Sequence, residues 1–207
     1  NKNLALMAAQ YYKRRNPEGI VVIGGTFVPS RPDVQIEFFK KYPFVELIVK
    51  YDGEFGFLEF LKRYLNNSGN NKQIFCGKPI DGCDFWSKDE GELKIGKIID
   101  RPKDINEIPS PYLTGILDPF FEDQLMSPMV QSTRGCPFSC TYCWAGNKFN
   151  SNVKHFSIER ILSEIDYIAG KRKDSENRLL VFADANFGMY AKDEIIADKI
   201  ALLQRTY

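Results

Sequence analysis

The chain has 207 residues and carries 28 Lys and Arg against 27 Asp and Glu, so its formal net charge is +1 at pH 7. With 43% hydrophobic and 27% charged residues, the composition is that of a globular protein rather than a disordered one. The charge balance gives no evidence for nucleic acid as a partner. The longest apolar runs, such as Leu179 to Ala183, are far shorter than the roughly 18 residues that cross a bilayer, so the sequence predicts no membrane span.

The five cysteines indicate the compartment. Their number is odd, and three of them, Cys136, Cys140 and Cys143, fall within eight residues. A secreted disulfide scaffold spreads an even number of cysteines through a small fold, whereas a tight cluster is typical of metal or redox chemistry in a reducing compartment. The sequence begins at Asn1 without a charged and then apolar signal pattern. We therefore predict a cytoplasmic location.

The first third of the chain alternates helical and strand patterns. Apolar spacing predicts helices at Leu4–Arg15, Val34–Lys41 and Phe55–Leu65, and β-branched runs predict buried strands at Gly19–Ile23 and Val45–Tyr51. This alternation is typical of a doubly wound parallel sheet. Because two strands are few for such a sheet, we expect at least one further strand before Asn1.

Residues 67–127 are interpreted as a connector. Their composition is rich in Asn, Gly, Lys and Asp, and then in prolines that neither a long helix nor a central strand accepts. Alternating patterns at Lys72–Phe75 and Leu93–Ile98 predict a small hairpin within it. The predicted domains are therefore residues 1–66 and residues 128–207, on either side of this connector.

The last part of the chain, residues 128–207, has the pattern of two successive βα units. Strands are predicted at Met129–Thr133 and Arg178–Ala183, and helices are predicted from the N-cap Ser157 to Gly170 and over Ala191–Leu203. Right-handed crossovers would place the two strands side by side and parallel. The carboxyl ends of such strands are where α/β proteins keep their sites.

Cys136, Cys140 and Cys143 lie on one loop directly after the first of these strands. Cysteine thiolates hold iron–sulfur clusters, and four thiolates normally saturate four irons. Three thiolates would leave one iron open to a ligand that is not protein. The alternative is a structural zinc site, with Cys76, Cys83 or His155 as the fourth ligand.

The Cys-x-x-x-Cys-x-x-Cys spacing, with Tyr142 directly before the third cysteine, resembles the signature loop of the radical S-adenosylmethionine (radical SAM) enzymes. The resemblance implies that the three cysteines bind a 4Fe-4S cluster and that S-adenosylmethionine chelates the fourth iron. Reductive cleavage would then give a 5′-deoxyadenosyl radical that acts on a substrate the sequence does not identify. It also implies an electron donor of the flavodoxin or ferredoxin type.

The same resemblance implies roles for residues around the loop. Tyr142 would pack near the adenine, and Asp184 with Asn186, at the end of the second strand, would meet the methionine amino group. The family's Gly-Gly-Glu sequence is absent at that strand end. The two polar residues could instead only cap or turn the chain, and Tyr142 and Trp144 could be core aromatics. The implied fold is the start of a partial (β/α)6 barrel, with further units expected after this chain, which alone should be inactive.

The upstream half is similar to the second half of the cobalamin-binding domain that is fused to many radical SAM enzymes. The resemblance rests on Gly24 and Gly25 after the first predicted strand and on Gly53 and Glu54 after the second, and it implies that these four residues contact cobalamin. They could equally form only a tight turn and a helix start.

The Asp-x-His-x-x-Gly loop that supplies a cobalt ligand elsewhere is absent, because the one histidine, His155, lies in the other half. Cobalamin would bind without it.

The sequence therefore predicts an α/β chain: a partial Rossmann-like domain of the cobalamin-binding type, followed by the start of a radical SAM barrel. The predicted function is cluster-mediated cleavage of S-adenosylmethionine. The alternatives are a cobalamin-dependent radical SAM methyltransferase and a non-catalytic iron–sulfur or zinc protein.

Overall fold

The computed structural model describes residues 2–206 and shows an α/β chain. The chain separates into two compact units that divide between Asp100 and Arg101, so the residues interpreted as a connector are shared between them. No helix within the described range is long and apolar enough to cross a membrane.

Unit 1 contains four helices and four strands among the described residues. Its elements are α1 (Lys2–Arg15), β1 (Val22–Ile23), α2 (Pro32–Lys41), β2 (Leu47–Val49), α3 (Gly53–Asn66), α4 (Asn71–Ile74), β3 (Cys83–Ser87) and β4 (Glu92–Ile95). The three predicted helices and two predicted strands are all present, although both strands are shorter than their patterns suggested.

The sheet of unit 1 has the strand order β1-β2-β3-β4. β1 and β2 are parallel, as predicted, with Val22 opposite Leu47 and Ile23 opposite Ile48. β3 and β4 extend the sheet in antiparallel fashion, so the sheet is mixed, where the pattern of the first third predicted a parallel one. The reason is that the hairpin after α4 supplies buried strand residues that pair directly with β2.

That hairpin lies at 83–95 rather than at the predicted positions. Leu93–Ile98 overlaps β4, but Lys72–Phe75 is not a strand. The Asn70 side chain accepts hydrogen bonds from the backbone N–H groups of Lys72 and Gln73. This capping starts the short helix α4 where a strand was predicted.

Both faces of β2 are covered. Leu47 and Val49 belong to one apolar cluster, which includes Phe60 of α3. Ile48, between them, belongs to a second cluster on the opposite face, together with Phe38 of α2. Side chains alternate between the faces of a strand. Because both faces of β2 are covered by apolar clusters, every position of the strand is apolar, and the sequence shows a continuous apolar run.

Unit 2 contains the two predicted βα units. Its elements are β5 (Met129–Val130), β6 (Thr133–Arg134), β7 (Lys154–His155), α5 (Ile158–Arg172), β8 (Val181–Phe182) and α6 (Ala191–Thr206). β5 and β8 are parallel neighbours, and the Ser157 side chain caps α5 by accepting a hydrogen bond from the Arg160 N–H, both as predicted. Further barrel units remain a prediction.

The predicted strand Met129–Thr133 is divided into two. β5 pairs with β8, whereas β6 pairs with β7 in antiparallel fashion. Between them, the backbone N–H of Ser132 donates to the Asp184 carboxylate instead of to a strand. The chain therefore leaves the parallel sheet at Ser132 and enters the cysteine loop through β6.

Candidate functional site

The cysteine loop, defined here as residues 135–153, joins β6 to β7. The pairs Thr133 with His155 and Arg134 with Lys154 close its base. Within the loop, the Cys136 N–H donates to the Asn150 carbonyl oxygen at 2.9 Å. The three predicted cluster ligands therefore project from a loop whose two ends are held together by backbone hydrogen bonds.

The thiols of this loop are unpaired. Cys136 is buried, whereas Cys140 and Cys143 are exposed, and no disulfide joins any of them. A turn brings the Cys143 N–H to the Cys140 carbonyl at 3.1 Å. Three free thiols on one loop are the donor chemistry that an iron–sulfur cluster requires. Across residues 2–206, however, no group of three or more His, Cys, Asp or Glu side chains is already gathered in an arrangement that could hold a metal ion.

The other two cysteines lie in unit 1. The Cys83 thiol donates to the Gly56 carbonyl at 3.2 Å, and burial raises its pKa to about 12. Metal ligation needs the thiolate form, so this environment disfavours Cys83 as a ligand. Cys76 is half-buried, with its thiol on the Gln73 carbonyl at 3.5 Å. His155 is exposed, with Nδ1 at 3.2 Å from Thr133 Oγ1.

Asn186 lies beside the cysteine loop. Its side-chain amide nitrogen Nδ2 is 3.1 Å from Cys136 Sγ, to which it donates a hydrogen bond. Sequence reasoning assigned this amide to the S-adenosylmethionine amino group, but its observed partner is a predicted cluster ligand. Hydrogen bonds to ligating sulfurs are among the features by which a protein adjusts a cluster's potential.

Asp184 links the ends of two neighbouring strands. Its Oδ2 accepts from the Ser132 N–H at 2.9 Å and its Oδ1 accepts from the Ser132 hydroxyl at 2.8 Å. The Lys192 ammonium donates to the Ser132 carbonyl at 2.6 Å. Burial lowers the pKa of Lys192, and the nearby carboxylates of Asp184 and Asp193 partly oppose that effect. Ser132 and Lys192 were missed by sequence reasoning, because neither belongs to a motif.

Three aromatic side chains of the cysteine loop face solvent. Tyr142 is 91% exposed, and Phe138 and Trp144 are about half exposed. The interpretation of Tyr142 as a core aromatic is therefore wrong. Exposed aromatic rings beside free thiols are available to cover a planar ligand.

The base of the cysteine loop contains a residue that sequence reasoning did not single out. Arg101 is 7% exposed, and its guanidinium donates to the Asn152 carbonyl at 2.7 Å and to Asn150 Oδ1 at 2.9 Å. The same group lies 4.8 Å from the centre of the Phe149 ring. No motif marks this arginine, since it stands 35 residues before Cys136 in the chain.

A second candidate site lies in unit 1, at the carboxyl ends of the parallel strands β1 and β2. Gly24, Gly53 and Glu54 line one cavity of about 370 Å³, together with Val49 and Phe57. The structure therefore brings together three of the four residues that the cobalamin resemblance named. The fourth, Gly25, follows Gly24 in a turn with φ of +85°, where a glycine is favoured.

The position of this cavity follows from the fold. β1 and β2 run in the same direction and end side by side, and ligands of open α/β sheets bind outside the carboxyl ends of their strands. A Cβ atom at Gly24 would lie 3.4 Å from the Val49 carbonyl. A side chain at this position would therefore contact the end of β2 at ordinary van der Waals distance.

Comparison with known proteins finds relatives over almost the whole chain. The chain is 31% identical over 201 residues, 95% of its length, to the cobalamin-dependent radical SAM methyltransferase TokK of Streptomyces tokunonensis. It is also 31% identical over 201 residues to 2-(S-pantetheinyl)-carbapenam-3-carboxylate methyltransferase of Streptantibioticus cattleyicolor. The chain spans 27% of the length of each of these relatives. No family model matches the chain.

A solved structure has the same fold. The structure of OxsB, a cobalamin-dependent S-adenosylmethionine radical enzyme with aqua-cobalamin and S-adenosylmethionine bound, superposes with a TM-score of 0.62 and 18% identity, covering 100% of this chain and 27% of that one. The resemblance inferred from the cysteine loop and the upstream glycines is thereby confirmed: over 95% of its length this chain is similar to a cobalamin-dependent radical SAM methyltransferase, and it shares the fold of a region of a cobalamin-dependent S-adenosylmethionine radical enzyme.

Proposed function

We propose that the protein is a cobalamin-dependent radical SAM methyltransferase. The observation that carries the proposal is the 31% identity, over 95% of the chain, to two proteins named as methyltransferases, one of them cobalamin-dependent. This narrower alternative is favoured over the broader prediction of an unspecified radical SAM enzyme.

In this proposal Cys136, Cys140 and Cys143 hold a 4Fe-4S cluster, and three protein ligands leave one iron for S-adenosylmethionine. When bound, the cluster would supply the electron that cleaves S-adenosylmethionine, and cobalamin would carry a methyl group. The free state of the three thiols and their common loop support the assignment. Asn186 donates to Cys136 Sγ and so holds that thiol toward the ends of β5 and β8.

The cavity in unit 1 is the proposed contact surface for cobalamin. Gly24 and Gly53 present backbone without side chains, and Glu54 adds a carboxylate at its rim. The single histidine of the chain lies in unit 2, so the residues of unit 1 would hold the corrin without a histidine ligand to cobalt.

Tyr142 and Asp184 are proposed to contact S-adenosylmethionine. Tyr142 is exposed on the cysteine loop, which leaves its ring free to cover an adenine. Asp184 already accepts two hydrogen bonds from Ser132, and a carboxylate has about four acceptor sites, so it can still accept from an ammonium group. An electron donor of the flavodoxin or ferredoxin type and a reducing, cytoplasmic compartment complete the proposal.

The test uses the full-length protein, reconstituted without oxygen with iron, sulfide and hydroxocobalamin and then desalted. We expect retained iron, a retained corrin absorbance spectrum, and 5′-deoxyadenosine after dithionite and S-adenosylmethionine are added. Cys143→Ala should lose the iron, while Cys76→Ala, outside the motif, should keep it. Iron without retained corrin would contradict the cobalamin assignment, and iron without cleavage would leave only a non-catalytic metal protein.

A further inference from the structure

We infer that Arg101 is a positioning residue for the iron–sulfur cluster: one buried guanidinium fixes the two ends of the cysteine loop and so sets where Cys136 stands. The inference rests on the proposed cluster for its functional meaning. The structural part of the inference, that Arg101 holds the two ends of the loop together, depends only on contacts within this chain.

Arg101 contacts three residues at the returning end of the loop, within the range 149–152. Nη1 donates to the Asn152 carbonyl at 2.7 Å, Nη2 donates to Asn150 Oδ1 at 2.9 Å, and the guanidinium lies over the Phe149 ring at 4.8 Å. A planar guanidinium offers donors in a fixed fork and can stack on an aromatic ring at the same time. A lysine cannot make this set of contacts.

The outgoing end of the loop reaches the same group. Nη1 also lies 3.5 Å from the Arg134 carbonyl, and a Cβ atom at Gly135 would lie 2.7 Å from Nη1 and 2.5 Å from the Asn150 carbonyl. Gly135 has φ of +107°, a conformation that favours glycine. The absence of a side chain at Gly135 therefore lets the arginine and both ends of the loop meet.

Asn150 connects this clamp to the first thiol. Its side chain accepts from Arg101 through Oδ1, and its backbone carbonyl accepts from the Cys136 N–H. Asn150 is 5% exposed, so neither bond is easily replaced by water. Loss of the guanidinium would free the Asn150 side chain and, through it, the carbonyl that holds Cys136.

The experiment measures the metal-free and the reconstituted full-length protein. In the metal-free protein, hydrogen exchange of loop peptides containing Cys136 reports the clamp without any cluster. After anaerobic reconstitution, iron content and the electron paramagnetic resonance spectrum of the reduced cluster report its consequence. Arg101→Gln is compared with Arg101→Lys and with Arg205→Gln, an arginine exposed at the end of α6.

We expect Arg101→Gln to speed exchange at the Cys136 peptide at least tenfold and to lower the iron content severalfold. Arg101→Lys should recover part of both, and Arg205→Gln should match the wild type. If Arg101→Gln fails to fold by circular dichroism, Asn150→Ala should show the same exchange change in a folded protein. This variant removes the side-chain amide and with it the Oδ1 acceptor, while the amide Nδ2 that is also lost has no hydrogen-bond partner among the described residues.

Wild-type exchange in folded Arg101→Gln, or in folded Asn150→Ala where the arginine variant does not fold, would overturn the clamp. A normal iron content and cluster spectrum in a variant with fast exchange would overturn its role in positioning. Failure of the wild-type protein to bind iron would instead contradict the proposed function, and the exchange comparison would still decide whether Arg101 holds the loop.

Discussion

Asp184 shows how a residue assigned to a ligand can also hold the fold. Its carboxylate accepts both the N–H and the hydroxyl of Ser132, and Ser132 is fully buried. A buried N–H group that loses its acceptor costs about 1–3 kcal/mol. The interpretation of Asp184 as a residue that turns the chain after a strand and its proposed contact with S-adenosylmethionine are therefore compatible.

We predict that Asp184→Ala lowers the free energy of unfolding by about 1–3 kcal/mol, because the Ser132 N–H is left buried without an acceptor. Asp184→Asn should recover most of this loss, since an amide oxygen can accept from the N–H while its NH₂ donates to the hydroxyl. Urea unfolding measures both variants. Asp174→Ala is the control, because Asp174 is exposed, and equal losses in Asp174→Ala and Asp184→Ala would contradict the argument.

Cys83 gives a prediction for pH dependence. Its pKa is raised from 9.0 to about 12, mainly by burial. The unfolded chain therefore releases this proton at a lower pH than the folded chain does, and the neutral thiol contributes stability that is present below pH 9 and is lost as the pH rises toward 12.

We expect the free energy of unfolding, measured by urea unfolding, to fall more steeply between pH 9 and 12 in the wild type than in Cys83→Ala. The extra loss in the wild type should reach at most about 4 kcal/mol. All other ionisable side chains are common to both proteins. Parallel curves for the two proteins would show that the Cys83 thiol is not protected by burial.

At the scale of the elements, α3 packs against the start of β3 through two glycines. A Cβ atom at Gly56 would lie 2.8 Å from the Gly82 carbonyl oxygen. That contact is with backbone, which cannot move aside as a flexible side chain can. The close approach also lets the buried Cys83 thiol reach the Gly56 carbonyl.

We predict that Gly56→Ala destabilises the protein by about 1–3 kcal/mol, because overpacking outweighs the better helix propensity of alanine. Gly170→Ala in α5 is the matched control, since nothing lies within 4 Å of its Cβ position, and it should stabilise by about 0.5–1 kcal/mol. Thermal unfolding distinguishes the two. A stabilising Gly56→Ala would show that α3 does not approach Gly82 closely.

The elements differ in how far the sequence could predict them. Ser157 and the apolar stripe of α5 are local signals, so that helix was predicted with its correct start. The pairing of β3 with β2 is set by contacts between residues distant in the chain, which no local pattern reveals. At the site, the cysteine spacing is visible in the sequence, but the approach of Arg101 and Asn186 to the loop depends on the fold.

On the scale of the whole molecule, each unit contributes one candidate cofactor site. Unit 1 has the cavity at the ends of β1 and β2, and unit 2 has the cysteine loop between β6 and β7. The cavity follows the rule that α/β folds bind ligands at the carboxyl ends of parallel strands, whereas the antiparallel pair β6–β7 separates the cysteine loop from the parallel strands β5 and β8. The chain spans about a quarter of the length of its curated relatives.

The most direct measurement of the central claim is the electron paramagnetic resonance spectrum of the reduced, reconstituted full-length protein, recorded with and without S-adenosylmethionine. If Cys136, Cys140 and Cys143 leave one iron for that ligand, we predict a 4Fe-4S signal whose g values shift when S-adenosylmethionine is added. A cluster signal that does not change on this addition, or a protein that binds no iron, would contradict it.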